Sequence, residues 1–134
     1  MLDVARHLPV PAASVWATLI DTTVWSQWGP SVRGATLDRD GTLLRADSTG
    51  RVLTAFGVWL PFRVTDWEPG RRWGWKVAGI PATAHRVEPA DGGATSRAVI
   101  EIPTWAPFYA PLCWMALGRV GAVAARRGLP AGAG

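Results

Sequence analysis

Cysteine, lysine and tyrosine each occur once in these 134 residues, and histidine only twice. A lone Cys113 excludes an internal disulfide and a thiolate-based metal site. His7 and His85 lie far apart in the chain, and neither has a second ligand at zinc-like spacing, so no metal or other cofactor is expected. No glycine-rich loop precedes a helix to cradle phosphate. Ser14, Ser26, Ser31, Ser48 and Ser96 stand in no nucleophile-elbow context, and nucleophilic catalysis is not expected.

Charge is also scarce: 18% of residues are charged and the net charge is +4. Apart from Lys76 every basic residue is arginine, and only Arg71-Arg72 and Arg126-Arg127 are adjacent. That spread gives no basic stripe, so nucleic acid is not an expected partner. The most apolar run, 102–118, is short for a transmembrane segment and carries Pro103, Pro107 and Pro111; it reads as a buried helix. The start, Met1-Leu2-Asp3-Val4, lacks the basic and long apolar stretches of a signal peptide, and cytoplasmic placement is expected.

Tryptophan is what the chain has in excess, with nine residues against three phenylalanines. An indole brings a broad apolar face and one N–H donor, so it suits both cores and the walls of pockets for flat ligands. The length fits one domain, expected over 1–128 with a flexible tail at 129–134. Oligomeric state is not encoded in any feature of the sequence.

Alternation over Leu2–Leu8 predicts a first strand ended by Pro9 and Pro11. Val15, Trp16, Leu19 and Ile20 follow at helical spacing, and Thr22–Trp28 reads as a second short helix closed by Gly29-Pro30. Extended segments are expected at 31–37, 42–46, 51–56, 59–67, 72–78, 83–88 and 95–102, separated by turn residues. A helix over 104–127 closes the chain. Strands joined by tight turns, with helices at the two ends, predict an α+β domain with an antiparallel sheet curled around the last helix.

Hairpin registers then sort the side chains. A two-residue loop at Pro69-Gly70 sets Val64 opposite Trp75 and Asp66 opposite Trp73, all facing inward with Phe62. Trp59 and Trp67 then face outward. A four-residue loop at 90–93 sets His85 opposite Ala98 and places both on the inner face with Val87 and Ile100. A loop at Gly57-Val58 sets Leu53 opposite Phe62 and brings Arg51 inward, near Asp66. On the final helix Trp105, Tyr109, Leu112, Ala116, Val120 and Val123 form the stripe toward the sheet, leaving Trp114 off it.

In their order these segments resemble the polyketide cyclase/dehydratase-like branch of the START/Bet v 1 (SRPBCC) superfamily. The matching residues are Val15-Trp16 with Asp21, Trp25-x-x-Trp28-x-Pro30-x-Val32, Gly50-Arg51, the stretch from Pro61 to Trp75, and His85-Arg86-Val87-Glu88-Pro89 before Gly92-Gly93. The helix start at 105–117 also fits. The resemblance implies a helix-grip fold, a seven-stranded antiparallel sheet around a long C-terminal helix, with a cavity for hydrophobic ligands such as lipids or polyketides between them.

Three functions are compatible with that reading. The first is a carrier or sensor of a hydrophobic small molecule. Its expected ligand-facing set is Trp28, Arg51, Phe62, Val64, Trp73, Trp75, His85, Ala98, Trp105, Tyr109 and Leu112. The second is a cyclase or dehydratase-like enzyme, with His85, Asp66 and Tyr109 as acid/base candidates. The third is a protein-interaction module using the outward Trp59 and Trp67, which requires a contiguous apolar patch on the outer sheet face.

Overall fold

Proline and glycine mark where the elements begin and end. β1 (Leu2–Leu8) stops at Pro9, and Pro11 is the N-cap of α1 (Ala12–Ile20). Asp21 ends α1 and caps a short 3-10 turn, accepting hydrogen bonds from the Thr23 backbone N–H at 3.0 Å and its hydroxyl at 2.6 Å. α2 (Trp25–Trp28) follows at once. Then come β2 (Val32–Leu37), β3 (Thr49–Thr54), β4 (Trp59–Glu68), β5 (Arg72–Val77), β6 (Ile80–Ala90) and β7 (Thr95–Ile102). A 3-10 turn over Pro107–Tyr109 leads into α3 (Ala110–Arg127). The computed structural model describes Met1–Arg127; the expected tail at 129–134 lies outside the described residues.

All seven strands form one antiparallel sheet in the order β1-β7-β6-β5-β4-β3-β2. The helix-grip architecture is therefore present, with α3 held against the sheet and α1. By length and composition Pro107–Arg127 would pass as a membrane span. Its stripe Cys113, Ala116, Leu117, Val120, Gly121, Val123 and Ala124 is buried in the core instead. Gly118 and Gly121 let β1 approach: a Cβ at Gly121 would meet Leu8 at 3.0 Å, and one at Gly118 would meet the Arg6 guanidinium at 2.6 Å. Arg6 lies 4.4 Å over the Trp114 ring and donates to its carbonyl, so its charge rests on the helix surface.

The expected strand at 42–46 does not form. Leu43 makes only an isolated bridge to Asp21, and Leu44 donates to the Ile20 carbonyl. Its ladder partners are the last residues of α1, so the segment closes the helix end and buries Leu44 without extending the sheet.

Register explains the remaining differences. Phe62–Val77 and Val64–Trp75 pair as expected, but a β-bulge at Thr65 then shifts the phase of β4 by one residue. Asp66 consequently pairs with Gly74 and points outward, while Trp67 pairs with Trp73 and turns inward. Trp67 is half-buried and packs edge-on against Trp16 with centroids 5.3 Å apart. In the β3–β4 hairpin the loop is longer than expected, with Thr54 donating to and accepting from Val58. Leu53 therefore faces Trp59, and Arg51 lies opposite Pro61 on the exposed face.

The outer face of β5, β6 and β7 carries an ion network. Glu101 accepts from Arg72 at 2.9 and 3.0 Å and from Arg86 at 2.7 Å. Arg72 also holds Asp66 at 3.1 Å, and Arg86 and Arg97 share Glu88. Among the described residues the exposed large apolar side chains lie at hairpin tips, at the chain start, in the Leu43 segment and around the start of α3, including Phe56, Ile80, Trp105 and Phe108. The outer face of β5–β7 thus bears charge, and with Trp67 turned inward the expected outward pair of Trp59 and Trp67 does not form.

A two-chambered apolar cavity as candidate site

Between the concave sheet face and α3 lie two adjacent hollows. The inner one, about 60 Å³, is walled by Trp25, Trp28, Trp73, Trp75, His85, Ile100, Cys113 and Ala116, with Gly29–Val32, Thr83 and Tyr109 completing it. The outer one, about 300 Å³, is walled by Val52, Thr54, Trp75, Val77, Ala82, Ile102, Pro103, Trp105, Ala106 and Phe108. Ser31, Val32, Trp75, Thr83 and Tyr109 border both, so these residues stand where the two chambers adjoin. Ser31 Oγ and Tyr109 Oη stand 2.5 Å apart at this junction.

Aromatic packing fixes the inner walls. Trp25 is anchored by its indole N–H to the Leu19 carbonyl at 2.9 Å and stacks on Trp73 at 5.5 Å. Trp73 in turn stacks on the His85 ring at 4.1 Å, and Trp28 meets that ring edge-on at 5.8 Å. The Trp75 indole donates to Thr83 Oγ1 at 3.3 Å, which lies 3.1 Å from His85 Nε2. An indole N–H only donates, so the Thr83 hydroxyl keeps its own proton and a second lone pair for the contact with Nε2.

Burial pushes the His85 pKa down to about 3. The Trp73 backbone opposes the shift without reaching hydrogen-bond geometry at Nδ1, which has no partner. His85 is thus neutral when folded and titrates near 6.5 when unfolded, so its contribution to stability is complete above pH 6.5 and declines as pH falls toward 3. The decline approaches about 1.4 kcal/mol per pH unit. Urea unfolding of His85→Phe should show a flatter stability profile than wild type between pH 6.5 and 4.5. Glu101, whose carboxyl the Arg72 hydrogen bonds hold below the ordinary value of 4.5, is present in both proteins, so its own loss of stabilisation toward acid pH cancels in the comparison. An equal slope in both proteins would contradict a neutral buried His85.

The other titratable groups of the walls are neutral as well. Burial raises the Tyr109 phenol and pushes the Cys113 thiol up to about 11, so Cys113 is an inert wall residue.

Trp28, Trp73, Trp75 and His85, expected as ligand-facing, come together around the inner chamber. Tyr109 stands at the junction, and Trp105 walls the outer chamber with its indole donating to the Pro81 carbonyl. Phe62, Val64 and Ala98 are inward but belong to solid core, lining neither chamber. Three expectations fail. Arg51 and Asp66 are on the outer face, for the register reasons given above. Leu112 is exposed, because the inward stripe of α3, after the 3-10 turn at Pro107–Tyr109, runs through Cys113. α3 starts at Ala110 and not at 104, and the segment before it, which includes the 3-10 turn, supplies Pro103, Ala106 and Phe108 to the outer chamber's wall.

A concave apolar cavity under a gripping helix defines a binding scaffold, and the sequence match decides which one. Residues 2–129 match the family described as polyketide cyclase / dehydrase and lipid transport. The chain belongs to this family. No curated protein matches it in sequence. Several solved structures share the fold of this chain. They include the Zhui aromatase/cyclase from Streptomyces sp. R1128, with 15% identity, a TM-score of 0.71, and coverage of 98% of this chain and 96% of that one. A protein from Mesorhizobium loti has 15% identity and a TM-score of 0.66, covering 96% of this chain and 98% of its own. A hypothetical protein from Helicobacter pylori has 15% identity and a TM-score of 0.68, covering 92% and 88%. Membership places a hydrophobic-ligand scaffold here; at these identities the structures speak for the fold alone.

Proposed function

We propose that this protein binds an uncharged hydrophobic small molecule, of lipid or polyketide type, as a carrier or sensor. One observation carries the reading: among the described residues no Asp, Glu, Lys or Arg lines either chamber. Cyclisation or dehydration needs one group to take a proton and another to deliver one, with pKa values near the working pH. The groups present are a histidine held near 3, a thiol near 11 and a phenol raised by burial. Such walls favour holding a ligand over transforming it. The carboxylate considered as an acid/base partner, Asp66, is on the opposite face of the sheet, paired with Arg72.

The neutral fluorophore N-phenyl-1-naphthylamine tests this directly. Wild type should bind it saturably, one per chain. Ala82→Trp, which fills the outer chamber from a half-buried position on β6, should weaken binding at least about tenfold, a loss of about 1.4 kcal/mol. Equal binding by both proteins would locate the dye on the surface and overturn the proposal.

A further inference from the structure

The strand register gathers distant chain segments at one end of the molecule. The starts of β1, β2, β4 and β6 lie beside the ends of β3, β5 and β7, and the lead-in to α3 follows there. The Ala55 N–H donates to the Ser31 carbonyl at 3.0 Å and the Trp105 indole to the Pro81 carbonyl, which ties these loops together in pairs. Leu43 and Trp114 apart, the exposed large apolar side chains of the described residues gather at this end. Phe56 and Phe108 are 92% and 74% exposed, and Ile80 and Trp105 are more than half exposed. They stand on separate turns and form no single flat face.

Charge is sorted along the same axis. Segments 29–33, 54–61, 76–82 and 103–115, all at this end, contain Arg33 and Lys76 and no carboxylate. The turn carboxylates Asp38, Asp40, Glu68 and Asp91 lie at the opposite end, and Asp3 on β1 is held by Arg86 at 3.5 Å. On the outer face behind the tips, Arg63 pairs with Lys76 across β4 and β5, and Arg51 lies opposite Pro61. None of these three cations is in an ion pair among the described residues. Like charges directly opposed across a ladder destabilise it, and an anionic partner relieves them. The solvent side of α3 repeats the order, with Leu112 and Met115 in its first two turns and Arg119 and Arg126 beyond.

We propose that this end docks on the surface of a bilayer containing anionic lipids, its apolar tips entering the hydrocarbon boundary and its cations resting among the headgroups. The depths agree. Arg63 and Lys76 stand four residues behind Trp59 and Ile80, about 13 Å along the strands, and their long side chains reach part of the way back. Apolar side chains of peripheral segments sink roughly 5–10 Å, so tips and cations meet their layers together. Indoles such as Trp59 and Trp105 suit the interface itself. A fluid surface accepts separate protrusions, whereas a protein partner needs one complementary, well-packed face. Docking of this kind uses outer side chains and is independent of what the chambers hold.

Cosedimentation of the full chain with extruded vesicles is the test. Phosphatidylcholine vesicles with about 30% phosphatidylglycerol should bind wild type at least about tenfold more tightly than phosphatidylcholine alone. Raising NaCl from about 0.1 M to about 1 M should erase that difference. Phe56→Ser/Ile80→Ser changes two tips outside both chambers. It should lose at least about tenfold on the anionic vesicles, with N-phenyl-1-naphthylamine binding and the urea midpoint unchanged. Arg63→Gln/Lys76→Gln should lose most of the preference for anionic vesicles. Should the tip variant not fold, composition and salt dependence of wild type decide. Absence of vesicle binding, equal binding to both compositions, or full binding by the tip variant would overturn the proposal. So would a wild-type dimer in sedimentation velocity that Phe56→Ser/Ile80→Ser dissociates, which would assign the apolar end to a second copy.

Discussion

Trp73→Ala should cost about 3–5 kcal/mol of stability, whereas Trp75→Ala should cost less than about 2 kcal/mol and abolish ligand binding. The two indoles sit one residue apart on the same face of β5, yet their surroundings differ. Trp73 is 1% exposed, stacked between Trp25 and His85 and paired with Trp67 across the hairpin. Removing it opens a large void that rigid neighbours cannot close. Trp75 is half-buried and borders both chambers, so part of its surface already faces empty space. Its truncation enlarges an existing hollow and deletes the wall on which a planar ligand rests. Chemical denaturation and N-phenyl-1-naphthylamine titration of both variants measure the split. A core-sized stability loss at Trp75 would make it structural and remove it from the site.

Gly50→Ala should destabilise the protein by roughly 3 kcal/mol or more, beyond ordinary overpacking. A Cβ there would lie 2.1 Å from the Thr36 carbonyl oxygen and 3.0 Å from the Phe62 ring. The first obstacle is backbone of the neighbouring strand, paired with β3 through Leu37–Gly50, and it moves only if that ladder breaks. Val52, two residues on, walls the outer chamber, so ligand affinity should fall too. Gly34→Ala is the control: nothing lies within 4 Å of its Cβ, and its effect should stay within about 0.5 kcal/mol. Urea midpoints of the two variants give the comparison; similar values would refute the close approach of β2 and β3.

How far the sequence revealed this site depended on the parity of its errors. In the β6–β7 hairpin Val87 was expected opposite Ser96 and lies opposite Ala98, a slip of two residues. An even slip keeps every side chain on its face, so His85, Val87 and Ile100 were correctly read as inward. In β3–β4 Leu53 pairs with Trp59 where Phe62 was expected, an odd slip that turned Arg51 to solvent. The bulge at Thr65 did the same to Asp66 and brought Trp67 in; no glycine or proline announces that extra residue in the sequence. The polar residues expected in the cavity were therefore the ones most exposed to error, and two of them left it. Trp73, Trp75 and His85 stayed inward, although the β5–β6 ladder also shifts register between Gly74 and Lys76. Apart from the strand expected at 42–46, the order of elements was legible, because turn residues and periodicity fix it without any knowledge of register.

The central claim is that the hollow bordered by Trp75 and Trp105 is where an uncharged hydrophobic molecule binds. Nine indole N–H signals make the claim directly measurable in a ¹⁵N correlation spectrum titrated with N-phenyl-1-naphthylamine. The account predicts saturable shifts for Trp75 and Trp105, whose side chains wall the outer chamber, with Trp16, Trp59 and Trp114 unmoved. Shifts confined to Trp59 and Trp114, both about half-exposed on the surface, would contradict it.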